Sequence, residues 1–193
     1  MPESSRYGIF RIPGSSQEFS INYETHRQGN GPSSYVKSPE WMVQMDTLLA
    51  STVDGFNDYC ELFGWTGSGF RQTSGHIASR LHTSATIGHS DISLLIPMDG
   101  YIPTLENYMF NGTDILKITI VRLSNIKEVK VVSQKIEFET CRIQTMQQDR
   151  DQMALVFQMQ KRTNTTIVHD NLGSNTGQTV SVVDFALNTV ADG

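Results

Sequence analysis

The chain has 193 residues, 38% of them apolar and 18% charged, and a formal net charge of −5. That length can bury one core of ordinary size without help from disulfides or metals, and the two cysteines, Cys60 and Cys141, lie in separate segments and read as reduced thiols. No basic cluster exceeds the pair Lys161 and Arg162, which argues against a nucleic-acid binder, and no apolar run approaches the roughly 20 residues needed to span a bilayer.

The polar start MPESSRYG lacks the basic and apolar regions of a secretory signal, so synthesis and folding in a cytoplasm are expected. Alternation of apolar and polar residues predicts strands over 7–12, 19–24 and 41–50, with a Gly, Ser and Pro-rich loop over 28–39 between them. From 64 to 88 the chain is again Gly, Ser, Thr and His with few apolar residues. A polar stretch of that length reads as an extended arm or irregular strand that gains order from a partner.

Residues 91–122 are the most informative: an apolar strand, a short helix over about 103–111, and a second strand. Pro103 suits a first helical turn, where its φ is already set and its missing N–H would be unpaired anyway. Asn111-Gly112 supplies a left-handed stop. Leu105, Tyr108 and Met109 follow i, i+3, i+4 spacing and give the helix one apolar face to lay on a sheet.

Beyond the helix, Ile118, Ile120 and Arg122 alternate with Thr119, Val121 and Leu123, so both faces of that strand are expected to be covered. Ile136 and Phe138 share one parity and Cys141 and Ile143 the other, which predicts a bulge near Thr140 if all four point inward. Met153, Leu155, Phe157 and Met159 share a face, opposite Gln158 and Gln160. Residues 170–179 read as a turn-rich linker, and 180–190 as one last strand. The expectation is a mostly β, single domain over 1–193, with an extended loop over about 64–88 and a C-terminal extension over about 170–193.

Catalytic and metal patterns are missing. His76, His82 and His89 are six and seven residues apart and match no metal-ligand spacing. Gly67, Gly69 and Gly75 are not followed by a Lys-Ser/Thr helix start, and Gly88-His89-Ser90 lacks the second glycine of a nucleophile elbow. Glu137 and Glu139 share a strand face opposite Ile136 and Phe138, which reads as a solvated polar face rather than an acid–base pair. Neither an enzyme nor a cofactor or metal site is expected.

The spacing Asp91 … Asp99-x-x-x-Pro103-x-Leu105, then Gly112 and Ile115, followed by Lys135-Ile136-x-Phe138-Glu139 and the Met153, Leu155, Phe157 strand, resembles the haemolysin-coregulated protein (Hcp) family. These are the tube subunits of bacterial type VI secretion systems. The likeness covers about 91–160; Gly100 and Tyr101 depart from the usual Lys-x pair, and Thr140 stands where Asn or Asp is common. The resemblance implies an antiparallel β-barrel with one flanking helix, six copies closing into a ring, and rings stacking into a tube through which or with which effector proteins are exported, the subunit itself being secreted without a signal peptide. Sheath and spike components would be further partners.

Under that resemblance the ring and stacking contacts fall to Ile118, Ile120, Val121 and Leu123 and to Phe70, His76, Ile77 and Leu81 of the arm. Glu137, Glu139, Gln158 and Gln160 are the candidates for the lumen wall. The tail-tube protein of a contractile phage or related injection particle, and a monomeric barrel holding a small ligand, are the alternatives.

Overall fold

The computed structural model describes residues 7–11, 18–22, 40–46, 48–49, 55–73, 85–126, 129–149 and 151–192. The chain parts into two compact units, Met1–Pro39 and Glu40–Gly193. The first holds an antiparallel hairpin of β1 (Tyr7–Arg11) and β2 (Glu18–Asn22).

The second unit carries β3 (Trp41–Met45), β4 (Tyr59–Glu61), β5 (Gly64–Thr66), β6 (Gly69–Thr73), β7 (Ala85–His89), β8 (Ile92–Pro97), α1 (Ile102–Asn111), β9 (Ile115–Ile126), β10 (Val129–Asp149), β11 (Gln152–Gln158), β12 (Lys161–His169), β13 (Asn175–Asp184) and β14 (Thr189–Asp192). Every strand pair is antiparallel, and the main ladder runs β14-β13-β12-β10-β11-β8-β5, with β9 on the other edge of β10 and β3 and β4 beyond it. The mostly β fold, with one helix among the described residues, agrees with the sequence reading. The barrel is not closed by hydrogen bonds: among the described residues no pairing joins β14 to β5.

The 21-residue β10 organises the sheet. Its first half pairs with β9 on one edge and β12 on the other, and its second half pairs with β11. Strands β11 and β12 follow one another along that edge and are interrupted at Met159 and Gln160, level with Thr140. Thr140 has φ +54°, and the buried side of β10 changes across it from Ile136 and Phe138 to Cys141 and Ile143. The irregularity predicted near Thr140 is therefore a single left-handed residue, and all four apolar side chains reach the core. The register shifts of β10 lie elsewhere, between Val132 and Gln134 and between Ile143 and Thr145.

The core joins Val43 and Met45 of β3, Ile92, Leu94 and Ile96 of β8, Leu105 of α1, Ile118 and Ile120 of β9, Phe138 of β10, and Leu155 and Phe157 of β11. Phe138 and Phe157 meet edge to face with centroids 5.8 Å apart. Helix α1 begins as expected: Pro103 lies in its first turn, no side chain caps it, and Gly112 ends it at φ +63° with its N–H donating to the Met109 carbonyl. Ile102 and Leu105 are its buried residues, and Tyr108 and Met109 pack partly against the core.

Three expectations change. The predicted 41–50 strand stops at Met45, because Asp46 turns the chain at φ +46°. Within the arm the strand is regular and self-paired: β6 and β7 pair along their length, and residues 74–84 lie outside the described residues. The 170–193 segment is neither linker nor single strand. Asp170 accepts the N–H groups of Leu172 and Ser174 in a tight turn, β13 runs back along β12, and Asn188 at φ +56° helps turn the chain into β14.

Candidate assembly surfaces

The interface candidates on β9 are core residues. Ile118 and Ile120 face the main core and are fully buried. Val121 and Leu123 face the other way but are covered by Met42, Phe56, Tyr59 and Val132 of the same chain. Two-sided coverage was correctly expected; it comes from β3 and the 56–59 turn, not from a neighbouring molecule. The β9 candidates are corrected on that ground. Phe70 is 54% exposed, whereas His76, Ile77 and Leu81 lie outside the described residues.

The lumen candidates share a polar, ion-paired surface. Glu137 is held between Lys117 Nζ at 3.1 Å and Lys135 Nζ at 3.0 Å, and Lys161 Nζ lies 3.1 Å from Glu139. Burial pushes the Glu137 carboxyl up, but hydrogen bonds and charge from the two lysines outweigh it and leave the group below its ordinary value. Gln158 and Gln160 are exposed, and the Gln160 N–H donates to the Glu139 carbonyl. The strand that bears Gln158 is covered on both sides, since Gln152, Ala154 and Val156 are buried along with Met153, Leu155 and Phe157.

A second surface was not anticipated. The cross-strand row Met45, Ile118, Phe138, Arg162, Val183 and Val190 starts in the core and runs out along the sheet. Its outer end, with Asn164, Ser181 and Phe185, forms one wall of a cavity of about 430 Å³; Gly69, Phe70 and Ile87 of the arm form the other. The arm is fastened there. The Ile87 N–H donates to Asn188 Oδ1 at 2.7 Å, the His89 ring meets Phe185 at 4.5 Å, and Ser68 and Ser90 bond across the hairpin base.

Arg162 is half-buried in this cavity, and loss of water pulls its guanidinium below the ordinary arginine range. No carboxylate pairs with it among the described residues. The sequence signal was present in Lys161-Arg162, but alternation placed neither residue, because β12 is polar on both faces.

Helix α1 presents Glu106 and Phe110, four positions apart and both exposed, Phe110 by 80%. Leu116, Leu172 and Leu187 are further exposed apolar side chains. No helix among the described residues is long and apolar enough to cross a membrane.

An antiparallel sheet wrapped on one core, with a single helix set between β8 and β9, is the Hcp fold. The chain is similar to a type six secretion system protein at 13% identity and TM-score 0.68, with 80% of this chain covering 100% of that one. It is also similar to Hcp1 from Salmonella typhimurium at 15% identity and TM-score 0.59, over 78% and 97% of the two chains. The secreted protein Hcp3 from Pseudomonas aeruginosa matches at 14% identity and TM-score 0.52, over 72% and 96%. No family model and no curated protein sequence matches the chain.

Proposed function

We propose that this protein is a structural subunit of the inner tube of a type VI secretion system. Its copies close into hexameric rings, and the rings stack into a tube with which effector proteins are exported, sheath and spike components being its other partners. The observation that carries this reading is the span of the fold likeness: almost the whole of each Hcp chain is matched, by about four-fifths of this one. The exposed features agree, since a cavity on the β12–β14 side and a helix elsewhere are unlike surfaces, and a head-to-tail contact between unlike surfaces closes a ring when its rotation allows.

In this reading the protein has a structural role and no enzymatic one, is made in the cytoplasm, and leaves with its cargo. The ion-paired face of Glu137 and Glu139, with Gln158 and Gln160 at its margin, lines the lumen. Negative-stain microscopy of the purified chain tests the proposal. Rings with an open centre are expected; a monodisperse single subunit at every concentration overturns it.

A further inference from the structure

We propose that the Arg162 cavity is a socket for the Glu106 and Phe110 face of helix α1 from a second copy of this chain. The inference rests on the ring reading above and gives it a specific contact.

Each half is incomplete alone. The socket holds a half-buried guanidinium with no carboxylate partner among the described residues, ringed by Phe70, Ile87, Val183, Phe185 and Val190. A desolvated cation in an apolar cavity is costly until an anion joins it. The knob supplies what is lacking: a carboxylate on Glu106 and, one helical turn on, an aromatic ring exposed to water. Phe110 is 80% exposed, and Glu106 makes no ion pair among the described residues. A planar guanidinium favours carboxylate geometry, and a buried aromatic beside an arginine is a frequent centre of binding energy. The cavity volume of about 430 Å³ accommodates both groups.

Both sides are also held in place before they meet, as an assembly contact needs. The socket wall is tied by the Ile87–Asn188 bond and the His89–Phe185 contact, and the knob is carried on a helix anchored by Ile102 and Leu105. Little ordering is required when they meet, so less of the contact energy is lost to entropy.

Charge exchange provides the test. Arg162→Glu and Glu106→Arg are each expected to shift the assembly equilibrium toward single subunits by roughly tenfold or more, and the double exchange is expected to restore rings. Light scattering reads the equilibrium and microscopy the rings. A second measurement does not depend on charge: a chain carrying Phe110→Cys and Val190→Cys is expected to form a ladder of disulfide-linked copies on oxidation, the native thiols being buried. Rings that survive both single reversals, with no ladder, overturn this contact while leaving the tube reading intact. If in addition octanoate binds the native chain by calorimetry and Arg162→Glu abolishes that binding, the cavity is a small-ligand site and the contact is again overturned. A native chain that never assembles overturns the tube reading and this contact together.

Discussion

Asp46 and Lys117 are joined in both directions: the Asp46 N–H donates to the Lys117 carbonyl at 3.1 Å, and the Lys117 N–H donates to the Asp46 carboxylate at 3.1 Å. The same carboxylate accepts the Leu116 N–H at 3.1 Å. This clasp lies level with Thr140 on the neighbouring strand, since Ile115 faces Cys141 and Lys117 faces Glu139. The main strands therefore change their buried parity along one line, and that line is where the sheet turns to enclose its core.

Replacing Asp46 with Ala removes two charge-assisted acceptor contacts and leaves a residue less tolerant of positive φ. The expected loss is about 2 kcal/mol, moderated by the partial exposure of the site. Asp46→Asn, which keeps one oxygen and the backbone preference, should lose less than half of that. Urea denaturation of the two variants against the parent checks the order.

Thr140 sits at φ +54°, where a β-branched residue is disfavoured. Thr140→Asn is expected to raise stability by about 0.5 kcal/mol, because asparagine enters the left-handed region more readily. Thr140→Pro should cost more than about 3 kcal/mol, since its ring fixes φ near −65°. A fall in the urea midpoint of the Asn variant would contradict the assignment of strain to this position.

Leu105 is fully buried beneath α1. Leu105→Asp removes that burial and places a carboxylate against the core, at an expected cost of about 3–5 kcal/mol. Thermal unfolding followed by circular dichroism should show a melting temperature lowered by roughly 6–20 °C, given roughly 2–4 °C per kcal/mol in a chain of this size.

The Glu137 carboxyl is held below its ordinary value in the folded protein by Lys135 and Lys117, against the opposing effect of burial. The unfolded chain then binds the proton more readily than the folded one. The stabilisation is present above the ordinary carboxylate pKa and is lost as pH falls through the lower folded value. Glu137→Gln should flatten the decline of stability on acidification, read from urea midpoints taken from neutral pH down through the carboxylate range.

Burial pushes both thiols up to about 12. The neighbouring Tyr101 hydroxyl at Cys60 and the Ile118 backbone at Cys141 only partly oppose that shift. Thiolate is therefore scarce at neutral pH. Ellman's reagent should detect no reactive thiol in the native protein and two after unfolding.

What the sequence disclosed followed from local signals of unequal strength. Pro103, Leu105 and Gly112 fix a helix by rules acting within ten residues, and the helix appears where they place it. The parity change between Phe138 and Cys141 was legible because apolar side chains report both faces of a strand. Strand β12 was not legible, because Lys161, Arg162, Thr163 and Asn164 are held by the ladders of β10 and β13 and not by burial. Apolar coverage misled at Val121 and Leu123 for a related reason: a pattern says that a residue is covered, but not whether the cover comes from Met42 and Tyr59 or from another molecule. The Arg162 cavity was out of reach because its walls come from the arm, β12, β13 and the turn between β13 and β14.

The pairing of β3 with β9 sets an order on biosynthesis. Strands β9 to β14 find a hydrogen-bonding neighbour soon after leaving the ribosome, in the hairpins β9-β10, β10-β11, β12-β13 and β13-β14. Met42, Val43 and Met45 emerge early, and although Met42 and Val43 meet β4 soon afterwards, the partners on β9, Val121, Ile120 and Ile118, are made much later. Such long-range closure slows folding more than it weakens the finished protein. In the nascent chain, three of the most deeply shielded side chains are thus the longest in contact with water, and that interval is when a chaperone would be needed most.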